Sequence, residues 1–349
     1  MIEDLKNFIK KTVMFFMSVF SLVILVNYFG DASNLYNKVE EKIAKLLING
    51  SAVTNIENIN ERLLQKELIN NANKKYNFVI LGSSRLFQFS ADNLKNDFTF
   101  NNSVSGASLE DYISIFQLYK ENNNLPKKII IEIVPWLFNE NSNQRRWRSL
   151  RDYYNRYYGI QNNFITFAKM KLGKYNELKS LSYFQKSLPK LFYGKEVPHE
   201  LKNGNYKNIT KFPRGSISYP TQTINVSNRI VRERILNYLR GELYSLENFS
   251  NVSKDIIFNF KNFIKTLKSN NIDIEFFFMP YPSAVYKRIS EDYDNVVKTE
   301  NIVKRIAEDY NINCFGTFNP RGLKANQSHF FDGMHMNSKG IELFLENYF

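Results

Sequence analysis

The chain of 349 residues contains a single cysteine, Cys314, and only three histidines, His199, His329 and His335. One cysteine excludes an intrachain disulfide and a cysteine-based zinc site, and it leaves the redox compartment undefined. The histidines show no ligand spacing of the His-x₃-His kind, so the sequence calls for no metal and no other cofactor. Acidic residues are the minority: 34 Asp and Glu against 47 Lys and Arg leave a net charge of +13. That balance favours anionic partners, whether membrane headgroups, acidic polysaccharides, teichoic-acid-like polymers or nucleic acid. There is no Gly-Lys-Ser/Thr ending for a phosphate-binding loop, no nucleic-acid motif, no internal repeat and no low-complexity tract. What remains, 43% hydrophobic and 23% charged residues, is the composition of a globular protein able to bury a large core.

Charge is also missing from the eighteen residues between Thr12 and Phe29. Roughly 17–25 apolar residues are needed to cross a bilayer core as a helix. Lys6, Lys10 and Lys11 precede the stretch and Asp31 follows it, so the positive-inside tendency leaves the N-terminus in the cytoplasm and the rest of the chain outside. A cleaved signal peptide is the competing reading. Its apolar core would be shorter, and small residues would stand where this chain has Asn27-Tyr28-Phe29. A buried soluble helix fits poorly, because the stretch is apolar on every face. Residues 1–30 are expected to be a cytoplasmic stub and an uncleaved transmembrane anchor.

Residues 35–72 alternate apolar and charged positions at helical spacing, so the segment 31–75 reads as a juxtamembrane helical stalk, or as helices packed on the main domain. From about residue 76 the period changes. Phe78–Leu81 is a continuous apolar run ending at glycine, as in a buried parallel strand. Further strands are expected over 98–100, 129–134, 274–279 and 312–318, with helices between them. Ser108 and Asp111 form a capping-box pattern ahead of Leu109, Tyr112, Ile113 and Phe116. This alternation implies an α/β fold with a five-stranded, mostly parallel sheet between two helical layers. Ligands bind such sheets at the carboxyl ends of the strands. The stretch 141–251 breaks the pattern and is too long for a loop. It is rich in Arg and Tyr and is expected to be a largely helical insertion.

Two motifs from opposite ends of the chain fall on that expected edge: Gly82-Ser83-Ser84 after the first strand, and Asp332-Gly333-Met334-His335 before the last helix. A serine hydroxyl is a weak nucleophile until a base takes its proton, and the base needs a partner to fix its tautomer. Ser84, His335 and Asp332 supply those three groups. Small polar residues after a strand also occur for purely local reasons, and a lone histidine is more often surface or core, so each motif is ambiguous alone. Arg85 either anchors an anionic substrate or forms a structural ion pair at the sheet edge. Arg148, in the cluster of Arg145, Arg146, Trp147 and Arg151, binds an anionic or sugar polymer or belongs to a solvated face. Trp136 and Tyr281 are candidates for the pocket wall, and the alternative for Tyr281 is a cap on the fourth strand.

Gly82-Ser83-Ser84, Asn102-Ser103-Val104-Ser105-Gly106-Ala107-Ser108 and Asp332-Gly333-Met334-His335 together resemble the first, second and fifth blocks of the SGNH (GDSL-like) hydrolase superfamily. With an N-terminal anchor, the chain looks like the membrane-anchored branch of that superfamily that acts on cell-envelope polymers. The resemblance covers residues 76–140 and 252–349. It implies an SGNH/flavodoxin-like domain over 76–349, a nucleophile at Ser84, a base at His335 and an orienting acid at Asp332. Backbone N–H groups of Ser84 and Gly106 would face a developing oxyanion. The superfamily's Gly-x-Asn third block is missing after the third strand, leaving Asn139 or Asn102 as the remaining donor. By the same resemblance the protein is an extracytoplasmic O-acyltransferase or esterase at a bacterial inner membrane. A sugar or anionic envelope polymer would be its substrate and a membrane-bound O-acyltransferase its partner. A non-catalytic scaffold of the same assembly is the alternative, and nucleic acid is not an expected partner.

Overall fold

The computed structural model describes residues 2–32, 35–36, 39–57, 59–94, 98–160, 174–193, 197–202 and 207–348. Parts of the 31–75 and 141–251 segments therefore lie outside the described residues. Helix α1 (Ile2–Gly30) is long and apolar enough to cross a membrane. Two short helices, α2 (Val39–Ile48) and α3 (Glu61–Asn70), flank the strand β1 (Val53–Thr54). The alternating region begins with β2 (Phe78–Leu81), β3 (Thr99–Asn101), α4 (Leu109–Glu121) and β4 (Lys128–Glu132). The inserted region carries α5 (Arg151–Tyr157), α6 (Leu181–Tyr193), β5 (His199–Glu200), β6 (Thr210–Lys211), β7 (Ile217–Ser218) and α7 (Asn228–Arg240). Alternation resumes with α8 (Lys254–Ser269), β8 (Asp273–Phe278), α9 (Ser283–Asp292), α10 (Asp294–Asp309), β9 (Asn313–Gly316) and α11 (Ser338–Tyr348).

Five strands pair in parallel in the order β3-β2-β4-β8-β9. A parallel sheet covered on both faces needs apolar side chains pointing both ways, and the three central strands have them. Val79, Leu81, Ile129, Ile131, Phe276 and Phe278 share one core cluster with Tyr112 and Phe116 of α4, Phe260 and Phe263 of α8 and Val303 of α10. Their neighbours Ile80, Ile130 and Phe277 join a second cluster with Leu86, Phe89 and, from α11, Ile341 and Phe344. Successive strand residues face opposite ways, so the two clusters lie on the two faces of the sheet. The chain leaves β2 for β3 on one side and comes back to β4 on the other. Such a reversal opens a crevice at the carboxyl ends of the strands, and Ser84 starts the turn that follows β2.

Of the two readings of residues 31–75, a stalk or helices packed on the main domain, α3 follows the second and packs on the sheet domain. Arg62 of α3 donates from Nε and Nη2 to the two carboxylate oxygens of Asp111, at 2.9 and 2.8 Å. Both side chains are buried. Asp111 also accepts the Ser108 N–H at 2.9 Å, which completes the capping box of α4. Arg62 and Gln65 lie on the buried face of α3, a polar face that a sequence pattern assigns to solvent. The insertion differs from the expectation of a largely helical segment. Besides helices it contributes β5, β6 and β7, which pair antiparallel around β1 in a second sheet of order β5-β1-β6-β7. Two-residue strands are too short to show any hydrophobic period.

Breaking a buried ion pair from one side strands a desolvated charge, at about 3–5 kcal/mol. Arg62→Ala is expected to lose that much in urea denaturation, and adding Asp111→Asn is expected to restore part of it.

Candidate active site

The turn after β2 is shaped by its own small polar residues. Ser83 is extended, and its hydroxyl accepts the Arg85 N–H at 3.2 Å, starting a 3₁₀ turn at Ser84–Leu86. From below, Glu132 at the end of β4 accepts the Ser83 N–H at 2.5 Å. Its side chain is fully buried. Burial raises this carboxyl above the ordinary glutamate range, against the pull of Arg85, the Ser83 donors and His335. Ser84 is thereby presented at the rim, with its N–H at the first position of a turn that offers it no internal acceptor.

The opposite wall is the loop before α11. Asp332 Oδ1 accepts the N–H groups of Met334 and His335, each at 2.7 Å, which curls the loop and brings the imidazole over its own carboxylate. His335 Nδ1 lies 2.8 and 3.0 Å from the two Asp332 oxygens, and Nε2 lies 2.9 Å from Ser84 Oγ. Burial alone would raise the Asp332 carboxyl. The His335 charge, its ring hydrogen bond and the two backbone donors outweigh burial and hold the carboxyl below the ordinary aspartate range. When the ring is neutral, a carboxylate accepting from Nδ1–H leaves Nε2 unprotonated and facing the serine hydroxyl, the tautomer that a general base requires. The ring stacks on Phe331 at 5.5 Å with planes 12° apart. Three groups named from the sequence meet here, and the arrangement is able to deprotonate Ser84 for nucleophilic attack.

Gly106 carries a positive φ of 56° and packs against the Tyr244 hydroxyl, so it has neither the conformation nor the space for a side chain. Its loop is fixed by α3: Glu61 accepts the Ser105 N–H at 2.5 Å and the Ser105 hydroxyl at 2.7 Å. The two asparagines expected as further oxyanion donors have their side chains committed elsewhere. Asn102 donates to Gln65 at 2.7 Å and accepts from the Tyr119 hydroxyl at 2.7 Å. Asn139 donates to the carbonyls of Ser245 and Glu247 and accepts the Asn141 N–H. Both are buried, which turns them into structural fasteners because a buried amide must satisfy its own hydrogen bonds.

The substrate-binding expectations fare differently. Arg85 is buried and faces protein carbonyls: Nη2 donates to Met279 and Pro280, each at 2.7 Å, and Nε to Met334 at 3.2 Å. Its guanidinium lies 4.0 Å above the Tyr281 ring. Arg85 thus ties the serine turn to the end of β8 and to the histidine loop, and Tyr281, 1% exposed, is its platform and no part of a pocket wall. Trp136 is also buried, donating from its indole to the Ala107 carbonyl at 2.9 Å and packing edge-on against Tyr244. Arg148 is exposed, and its neighbour Arg146 is the arginine whose Nη1 reaches Ser105 O, at 3.5 Å.

Sequence reasoning missed the walls of the site. Tyr219 approaches the His335 ring at 6.2 Å and Phe331 at 5.2 Å, Tyr238 packs on Gly333, and Tyr244 meets Gly106. Arg234 of α7 donates to the Phe331 carbonyl at 3.0 Å. All four come from the insertion, where Tyr and Arg are too frequent for any one to stand out. Glu132 alone had a legible signal, as the only charge inside the run Ile129 to Val134.

A family model described as "Protein of unknown function (DUF1574)" matches residues 41–342. The chain belongs to that family. The match takes in the serine turn, the histidine loop and the insertion between them. No curated protein matches the chain.

Arg85→Met removes three charge-assisted hydrogen bonds, each worth about 1.5–3 kcal/mol, and frees the histidine loop. It is expected to lower the midpoint of urea denaturation. Asp332 gives a pH test. Its folded value lies below the unfolded one, so its ionisation contributes stability that is fully present above the unfolded value and is lost as pH falls through the folded value. The stability gap between wild type and Asp332→Asn is expected to hold constant at higher pH and to shrink only below 3.8, the ordinary aspartate value.

Proposed function

We propose that the protein is a membrane-anchored, extracytoplasmic serine acyltransferase or esterase acting on a cell-envelope glycopolymer, with a three-layer SGNH-like domain. The single observation carrying this reading is the continuous relay from Ser84 Oγ through His335 to Asp332. In the first half-reaction His335 takes the Ser84 proton as Oγ bonds to the acyl carbon. The bond to the donor oxygen breaks, and that oxygen receives the proton from His335. In the second half a hydroxyl gives its proton to His335 and bonds to the acyl carbon, and Ser84 Oγ leaves and is reprotonated. The N–H groups of Ser84 and Gly106 serve the oxyanion, where losing one donor costs about 10²–10³ in rate.

The anchor α1 and the net charge of +13 support an anionic or sugar polymer at a bacterial inner membrane. A polar cleft of about 1200 Å³ adjoins Gly106 through Tyr244; its lining joins the amides of Asn141 and Gln144 and the guanidinium groups of Arg145 and Arg146 with the carboxyl groups of Glu140, Glu242 and Glu247, a mixture suited to sugar hydroxyls. Acyl groups would be delivered by a membrane-bound O-acyltransferase partner. The second reading, a non-catalytic scaffold of the same system, is favoured by the commitment of the Asn102 and Asn139 amides, which leaves no third oxyanion donor among the expected residues.

Ser84→Ala is expected to abolish ester-linked acyl groups on purified envelope polymer while the protein remains folded and present. Unchanged acylation would reject the enzyme. Asp332→Asn is expected to lower turnover about 10⁴-fold, as for other relays left with the wrong histidine tautomer.

A further inference from the structure

The second feature of the molecule that calls for a partner is α6. At 3.6 residues per turn, Leu181, Phe184, Leu188, Leu191 and Phe192 share one arc of this helix, and Lys186 lies on the opposite side. Leu181 is 67% and Phe192 77% exposed, and Leu191 is exposed as well. Neighbouring this arc is the face that docks on α1. Asn27 of α1 donates to the carbonyls of Glu177, Leu178 and Ser180 at 3.1, 2.9 and 3.0 Å. Tyr183 donates to Asp31 at 2.9 Å, and the Ala32 N–H donates to the Ser187 hydroxyl at 3.3 Å. Gly30 lies so close to the Ser187 backbone that a Cβ has no room. The end of α1 and the two residues after it are therefore fastened to α6 and to the turn that precedes α6.

That fastening fixes where the apolar arc sits. Leu22, Leu25 and Phe29, on the same stretch of α1, are exposed apolar residues at the outer end of the spanning segment. Tyr28, Tyr36 and Tyr175 stack beside them at 5.6 and 6.0 Å, and tyrosines gather at the headgroup level of membranes. α6 has 13 residues, too few to cross a bilayer core of about 30 Å at 1.5 Å per residue. A short helix with an apolar arc and an opposing basic side instead suits the boundary between headgroups and acyl chains.

We propose that α6 lies in the outer surface of the membrane, with Leu181, Leu191 and Phe192 among the lipids, and that it holds the serine site at a fixed height above the bilayer. The occupant of the arc is lipid. This rests on the reading of α1 as membrane-spanning, and the test separates the two. The full chain in a Cys314→Ser background, reconstituted in nanodiscs of phosphatidylglycerol and phosphatidylethanolamine, is labelled with an environment-sensitive fluorophore at Phe192→Cys, Lys186→Cys or Val19→Cys. The expected result is blue-shifted emission at 192, quenched by nitroxides placed shallowly on lipid chains and shielded from iodide, with the reverse at 186. A lipid-embedded label at 19 together with a water-exposed label at 192 overturns the inference and leaves the anchor standing. Water exposure at 19 overturns both. Lipid exposure at 186 as well as 192 overturns the surface orientation.

Discussion

The buried guanidinium of Arg85 is the interaction on which the assembled site depends. It follows the candidate nucleophile directly and reaches Met334, the neighbour of the candidate base, as well as the two carbonyls at the end of β8. A charge taken out of water is costly unless it is well hydrogen-bonded. Here the three carbonyls and the Tyr281 face offset that cost. Three loops from distant parts of the chain are thereby held to one geometry. The 2.9 Å between Ser84 and His335 is thus supported from beneath, and it does not hang on the flexibility of two surface loops.

The sheet was legible for a plain reason. Buried parallel strands must be apolar on both faces, and Phe78–Leu81, Ile129–Ile133 and Ile274–Phe278 stand out as such runs. The trio of Ser84, His335 and Asp332 was legible because its residues are chemically specific and follow strand ends or precede a helix. The surroundings of the trio were not. Arg85 reads the same in sequence whether its partner is a substrate phosphate or a peptide carbonyl, and only burial decides. Asn102 and Asn139 sit near the right strands, but an amide's partners are set by tertiary contacts such as Gln65 and Ser245. The tyrosines at 219, 238 and 244 belong to a segment without periodicity, so their convergence on the site has no local signal.

That segment links chemistry to position. Its central part fastens to the end of α1 through Asn27 and Asp31, and its later part carries the tyrosines that wall the site and Arg234, which holds the Phe331 carbonyl. One insertion thus touches both the apolar helix and the histidine loop.

The central claim is that Ser84 is activated by His335 and not merely exposed beside it. Its most direct measurement is the intact mass of the full chain after treatment with a fluorophosphonate, with the adduct located by peptide mapping. The account predicts one phosphonyl group, on Ser84, and no adduct in the His335→Ala protein. Labelling that is absent from the folded wild type, or that persists unchanged without His335, would contradict it.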